Sequence, residues 1–237
     1  MAKHKRLCPS VSSFFGCPED TFAFERALIR AGHARVAGVD EAGRGPLAGP
    51  VVAGCVVLPE DCEFHRFKDS KQLAGADREA LFDLLHACGA GIGYAVVSNE
   101  EIDRINILQA SLQAMAGAMM DLSGRTGIKP DFLLVDGTIT VPVDLPQQTL
   151  IKGESKSASI AAASIIAKVI RDRLMVDYHR RFPEYNFQHN KGYPTEEHRR
   201  RIELHGPCPI HRRTFKGVRE YLEQRMEKGR PRQTGLW

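Results

Sequence analysis

Apolar positions change their spacing several times along this chain, and each change predicts an element. Val36 to Asp40 is a short apolar run that ends in acids, and Pro50 to Leu58 holds a second run rich in β-branched side chains (Val51, Val52, Cys55, Val56, Val57). Gly43-Arg44-Gly45-Pro46 separates them, so the pattern predicts two strands joined by a glycine-rich turn. Ahead of them Thr21 to Arg30 has helical spacing, with Thr21 as the expected cap and Phe22, Leu28 and Ile29 on the apolar side. Leu81, Leu84 and Leu85 predict a helix over Asp77 to Ala87, and Gly91 to Ser98 reads as a strand. Ser98 then forms a capping box with Glu101 and starts a helical pattern that runs through Ile107 to Leu122. Phe132 to Val135 is a compact apolar strand ending at Asp136-Gly137, and Thr149 to Ile151 suggests one more. A long helix is expected from Ser155 to Phe182, a shorter one capped by Thr195 and running to His205, and another from Phe215 to Lys228. Strands in series, followed by alternation of strand and helix, make an α/β fold: a mixed β-sheet flanked by helices, with a C-terminal helical extension.

Composition fits that picture. The 237 residues are 43% hydrophobic and 26% charged, which suits one large domain, or one domain with a small appendage, and excludes a disordered chain. No apolar run approaches the roughly 18 residues of a membrane span. Residues 1–34 read as a lead-in, 35–185 as the main domain, 186–228 as a basic helical region, and 229–237 as a tail expected to be disordered. The formal charge of +4 is unevenly divided, since residues 186–237 hold 12 Lys/Arg against 6 acids while the remainder is −2. A basic end on a slightly acidic body suits a grip on a polyanion, although a solvated helical surface has the same composition. The six cysteines show no C-x-x-C pair, and the first residues lack a secretory core, so reduced thiols in a cytoplasm are expected. His205, Cys208 and His211 have a zinc-like spacing, but two intervening prolines and the want of a fourth ligand nearby speak against zinc.

The candidate chemistry lies in acids at strand ends, where the functional groups of α/β sheets collect. Asp40-Glu41 ends the first strand and Asp136 ends the strand Phe132 to Val135. Carboxylates delivered to one sheet edge repel each other, and protons or hard cations relieve that repulsion. Asp172 on the long helix is the candidate fourth acid, because Ser164, Lys168 and Asp172 recur every four residues along one helix face. Without accompanying His or Cys ligands, such a cluster suits Mg²⁺ or Mn²⁺, and two such ions serve phosphoryl transfer. Taken singly, Asp-Gly at a strand end is also an ordinary turn, and Asp172 between two arginines an ordinary surface ion pair. Asp40 and Glu41 point to opposite faces of a regular strand, a conflict that a bulge before the glycine turn would resolve. Gly43-Arg44-Gly45 would let backbone approach a ligand and supply an arginine for phosphate, but it lacks P-loop spacing.

In order along the chain come Val39-Asp40-Glu41-Ala42-Gly43-Arg44-Gly45-Pro46-Leu47-Ala48-Gly49-Pro50-Val51, Asp69-Ser70-Lys71-Gln72-Leu73 and Val135-Asp136-Gly137. Then follow Lys152-Gly153-Glu154-Ser155-Lys156-Ser157, Ala161 to Val169 with Arg171-Asp172, Lys191-Gly192-Tyr193-Pro194-Thr195 with His198, and His211-Arg212-Arg213-Thr214-Phe215. This string resembles the type 2 ribonucleases H, specifically bacterial ribonuclease HII, over about residues 35 to 220. The resemblance implies a ribonuclease H-like fold. It also implies a metal-dependent endonuclease that cuts RNA hybridised to DNA and cuts 5′ of ribonucleotides embedded in duplex DNA, leaving 5′-phosphate and 3′-hydroxyl ends. It carries the catalytic, metal-binding acids onto Asp40, Glu41, Asp136 and Asp172, the 2′-hydroxyl-sensing turn onto Gly43, Arg44 and Gly45, and the junction tyrosine onto Tyr193. Lys71, Lys152, Ser155, Lys168 and the arginines of the basic end are the expected phosphate contacts. The implied partners are an RNA–DNA hybrid and ribonucleotide-containing duplex DNA, met by a monomer in the cytoplasm with no membrane role. Asn190 separates His189 from Lys191, against the family pattern, which leaves His189 without an assigned role. A duplex-binding module that has lost its chemistry is the rival reading, and the presence of all four acids argues against it. The sister ribonuclease HIII usually has a longer N-terminal domain than this 34-residue lead-in.

Overall fold

The two valine-rich runs pair at the centre of a sheet. In the computed structural model, which describes residues 20–63, 65, 67 and 75–228, β1 (Val36–Ala42) and β2 (Val51–Val57) are antiparallel neighbours. The segment Asp69 to Leu73, and Lys71 with it, lies outside the described residues, as do residues 1–19 and the tail from 229. β3 (Gly91–Val97) pairs antiparallel with β2, while β4 (Phe132–Asp136) pairs parallel with β1 and β5 (Gln147–Leu150) parallel with β4. The resulting mixed five-stranded sheet has the order β3-β2-β1-β4-β5.

Alternation along each strand assigns its residues to two layers. On one face Ala37, Val39, Ala53 and Cys55 meet Ala110, Ala114, Ala118 and Leu122 of α3 (Asn99–Thr126). On the other, α4 (Ala158–Arg181) buries Ala162, Ala163, Ile165 and Ile166 together with Val56 and with Leu81 and Leu85 of α2 (Gly75–Ala87). Each fully buried isoleucine or leucine contributes about 1.5–3 kcal/mol. α4 lies directly on the strands: a Cβ on Gly38 would fall 2.1 Å from the carbonyl carbon of Ser159, and one on Gly54 2.3 Å from the oxygen of Ala163. These contacts set the height of α4 over the sheet.

The helix starts follow local hydrogen bonding, with four departures from expectation, one of them that α7 (Arg219–Lys228) begins four residues after Phe215. Ser98 and Thr195 cap as expected, accepting from the N–H groups of Glu101 and His198, the latter in α6 (Glu196–His205). Thr21 does not cap α1 (Ala23–Arg30), since its hydroxyl is buried without a hydrogen-bond partner, and Asp20 instead accepts from the N–H of Phe22. α3 kinks at Asn106 (φ 68°), whose side-chain oxygen accepts from Leu108 and Gln109 and so caps the helix a second time. α4 begins three residues later than expected, with Ser157 as its cap after a 3₁₀ turn over Gly153–Ser155. Glu25 of α1 is buried beneath that start and accepts from Ser157 Oγ at 2.5 Å and Ser159 N at 3.0 Å. The lead-in helix thus fixes the origin of α4.

The chain after α4 forms its own core. Tyr185, Phe187, Ile202, Ile210 and Val218 pack with Met175 of α4 and with Leu47 and Ala48 of the β1–β2 connection. α5 (Phe187–Asn190), α6 and α7 (Arg219–Lys228) belong to this layer, and an isolated bridge pairs Ala48 with His211.

Candidate active site

Three acids come from neighbouring backbone segments at one end of the sheet. Asp40 and Glu41 close β1 in unbroken register opposite Gly54 and Ala53, and Asp136 closes the adjacent parallel strand β4. The expected bulge is therefore absent. Glu41 leaves from the face opposite Asp40, and Arg44 holds its carboxylate at 3.0 Å. Asp40 is 4% exposed, and its Oδ1 accepts from the N–H of Glu41 at 2.7 Å. Asp136 Oδ1 accepts from the N–H of Gly153 at 2.7 Å.

The next residue, Glu154, is buried as well, and it is the acid that sequence reasoning missed. Burial holds the carboxyl of Asp40 well above the usual carboxylate range, and the charges of Glu41, Asp136 and Glu154 push it further. Burial also raises Glu41, Asp136 adds to that, and Arg44 opposes it. Asp172 has other company: it pairs with Lys168 at 2.6 Å and Arg78 at 3.4 Å. A signal for Glu154 was present, since Lys152-Gly153-Glu154-Ser155 follows the short strand beside β4, but its acid was read only as part of a motif.

Beside the acids, the Gly43–Pro50 connection rests on two arginines that are fully buried. Arg171 donates to the carbonyls of Pro50, Ala48 and Lys191, and Arg212 to those of Gly49, Arg44, Gly43 and Pro50. Burial lowers both guanidiniums, Arg171 to about 10 and Arg212 to about 9, which leaves them charged at neutral pH. Gly43 (φ 100°) has no room for a Cβ, which would strike Arg171 Nε at 2.2 Å. Arg212 was expected to face phosphates. It faces carbonyl oxygens instead, whereas Arg199, Arg200 and Arg213 are exposed.

Tyr193, 42% exposed, stands next to this loop, with its ring 3.8 Å from where a Gly45 Cβ would be. Lys168 Nζ and the Arg171 guanidinium lie 6.0 and 5.9 Å from its ring centroid. Lys152 and Ser155 are exposed on the turn that carries Glu154, and Ser155 Oγ donates to the Lys152 carbonyl. Among the described residues, then, the structure gathers Asp40, Glu41, Asp136, Gly43 to Gly45, Lys152, Ser155, Lys168 and Tyr193 around one edge, with Asp172 turned to its basic partners. Asn190 is buried and structural, accepting from Gly192 and donating to Tyr185, while the His189 ring bonds only Gln188 among the described contacts.

A family model described as Ribonuclease HII matches residues 37–218. The chain belongs to the ribonuclease HII family. Ribonuclease HII of Desulfotalea psychrophila is 56% identical over 225 residues, covering 95% of this chain and 98% of the relative. The crystal structure of ribonuclease H2 from Pyrococcus horikoshii OT3 superposes with a TM-score of 0.65 at 30% identity, covering 82% of this chain and 99% of that one. Bst-RNase HIII in complex with Mn²⁺ shares the fold at 18% identity, with a TM-score of 0.65 over 80% of this chain and 70% of its own. This ribonuclease HII is accordingly a phosphodiester hydrolase, an endonuclease that cuts the RNA strand of RNA–DNA hybrids.

The donor set fits hard cations, because carboxylate oxygens are the ligands Mg²⁺ and Mn²⁺ prefer and their mutual repulsion is what a cation relieves. Among the described residues no three His, Cys, Asp or Glu already form a closed ligand set. Arg44 draws Glu41 and Gly153 draws Asp136, so these carboxylates are turned onto protein partners. In the zinc-like trio Cys208 Sγ lies 3.1 Å from His211 Nδ1, and His211 Nε2 faces His198.

Proposed function

We propose that this ribonuclease HII cuts on the 5′ side of a ribonucleotide, both in hybrids and in duplex DNA with embedded ribonucleotides. In this reading Asp40, Glu41 and Asp136 hold two divalent cations, Mg²⁺ or Mn²⁺, with Glu154 as the fourth carboxylate in place of Asp172. One observation carries the assignment: buried Asp40 is pushed upward by the charges of Glu41, Asp136 and Glu154 together. Bound there, the cations would stabilise the attacking and leaving oxygens of an in-line displacement.

The chain's own residues do the positioning. Gly43, Arg44 and Gly45, held from beneath by Arg171 and Arg212, present a fixed backbone to the 2′-hydroxyl, the group that distinguishes RNA from DNA. Tyr193 packs against the sugar at the junction, where an extra hydroxyl would clash. Lys152, Ser155 and Lys168 contact phosphates, as does Lys71 outside the described residues, and Asp172 orients Lys168 through their 2.6 Å pair. The protein acts as a monomer in the cytoplasm; free thiols at Cys55, Cys62, Cys88 and Cys208 support a reducing compartment, and no described helix is long and apolar enough to cross a membrane.

The test is cleavage of a DNA duplex containing one ribonucleotide, mapped to the nucleotide, in Mg²⁺, in Mn²⁺ and in chelator. Asp136→Asn should abolish cutting while duplex binding survives. Cutting on the 3′ side, or activity that persists in chelator or in the variant, would overturn the reading.

A further inference from the structure

We propose that His198 and His211 form a tautomer-locked pair that positions Tyr193 for its contact with the substrate. The inference rests on the reading of Tyr193 given above and adds two residues that touch neither metal nor nucleic acid in that scheme.

The polarity of the chain of bonds follows from its ends. His198 Nδ1 lies 2.9 Å from the carbonyl oxygen of Tyr193. A carbonyl can only accept, so this nitrogen carries the hydrogen. At the other end His211 Nδ1 lies 2.9 Å from the backbone nitrogen of Cys208, whose N–H can only donate, and 3.3 Å from the Cys208 carbonyl; the shorter contact, and the need for one hydrogen between the two facing Nε2 atoms, leave Nδ1 bare. A neutral imidazole has one N–H, and the hydrogen of His211 is therefore on Nε2. Nε2 of His211 faces Nε2 of His198 at 3.1 Å, and the latter is bare because its hydrogen is on Nδ1. Each link thus runs the same way, from Cys208 through His211 and His198 to the backbone of Tyr193.

The surroundings keep both rings neutral. His198 and His211 are 0% and 1% exposed, and they lie against Phe187 (5.4 Å from His198) and Tyr185 (4.9 Å from His211). Burial lowers both, His211 to about 3, so neither gains a second hydrogen that would break the sequence of bonds at neutral pH. The pair ends on a useful atom. The Tyr193 carbonyl also accepts from Thr195 at 2.8 Å, and the Tyr193 N–H donates to Asn190 at 2.9 Å, so the backbone below the exposed ring is held on both sides. His211 is pinned in turn by its bridge to Ala48, next to the glycine loop that Tyr193 faces.

A double-mutant cycle separates positioning from packing. The reporter is the rate on a duplex with one ribonucleotide relative to the rate on a continuous RNA–DNA hybrid. Tyr193→Ala should lower this ratio. His198→Phe keeps a ring and loses the donor, and it should lower the ratio by roughly 10- to 100-fold, the range in which misplacement slows a positioned reaction. His198→Asn, which restores a donor near Nδ1, should recover much of it. In the Tyr193→Ala background His198→Phe should add nothing; an additive loss overturns the proposal. If Tyr193→Ala leaves the ratio unchanged, the junction role of Tyr193 itself falls, and the positioning proposal with it. Should His198→Phe not fold, ¹⁵N–¹H spectra of the wild-type histidine rings decide. Hydrogen on Nδ1 of His198 and Nε2 of His211 is expected, and the opposite tautomer on either ring overturns the pair.

Discussion

The backbone N–H of Gly153 donates to Asp136 Oδ1 at 2.7 Å, which ties the end of β4 to the turn that carries Glu154. That bond brings an acid from outside the sheet to the edge where Asp40 and Asp136 emerge.

Glu154→Gln should therefore weaken Mn²⁺ binding by at least about tenfold, equivalent to about 1.4 kcal/mol, and depress cleavage with it. Asp172→Asn should leave metal affinity within about twofold and act on substrate binding, because its partners are Lys168 and Arg78. Calorimetric titration of both variants with Mn²⁺ checks this. A larger metal defect in Asp172→Asn would return the fourth position to that residue.

Asp40 bears on stability as well as on cutting. Its carboxyl titrates above the usual range because burial and neighbouring acids disfavour the anion. An acid raised in the folded state binds its proton more tightly there than in the unfolded chain. Its favourable contribution is present at low pH and is lost as pH rises from the ordinary aspartate range through the raised value. Asp40→Asn should thus melt higher than wild type at pH 8 without divalent metal, by a few degrees at about 2–4 °C per kcal/mol, and the gap should narrow on acidification. Mg²⁺ should raise the melting temperature of wild type more than that of the variant. Scanning calorimetry at several pH values reads both effects, and a variant less stable than wild type at pH 8 would contradict the account.

Arg212 is the third point of test. Replacing it by Met leaves the carbonyls of Gly43, Arg44 and Gly49 without their guanidinium, while Pro50 keeps that of Arg171. Each buried carbonyl left unsatisfied costs about 1–3 kcal/mol, and loss of cleavage is expected with the loss of stability. Arg213→Ala, at an exposed neighbour, should change stability by less than about 0.5 kcal/mol. Urea midpoints compare the two, and equal effects would mean that the loop does not depend on Arg212.

Much of this was legible in the sequence where the signal is local. Valine-rich runs located β1 and β2, Ser98 and Thr195 marked helix starts, and acids after apolar runs located Asp40 and Asp136. What stayed hidden depends on contacts between distant segments. Arg212 counts as one more positive charge in a basic stretch until the fold sets it beneath a loop 169 positions earlier. The burial of Glu154 beside Asp136 and the pairing of Asp172 with Lys168 and Arg78 were hidden, because helical spacing reveals which side chains share a face and not which groups from other segments they meet. The paired histidines gave no periodic signal, and their meaning comes from a backbone carbonyl and a backbone N–H that only the folded chain aligns.

The docking of Arg212 also imposes an order of events during synthesis. Asp40, Glu41 and the glycine loop are made early, whereas the guanidinium that fixes the loop follows 169 residues after Gly43. At about 5–20 residues per second, the ribosome needs on the order of ten to thirty seconds to cover that interval. A nascent chain therefore carries its acids well before the loop beside them has the guanidinium that fixes it.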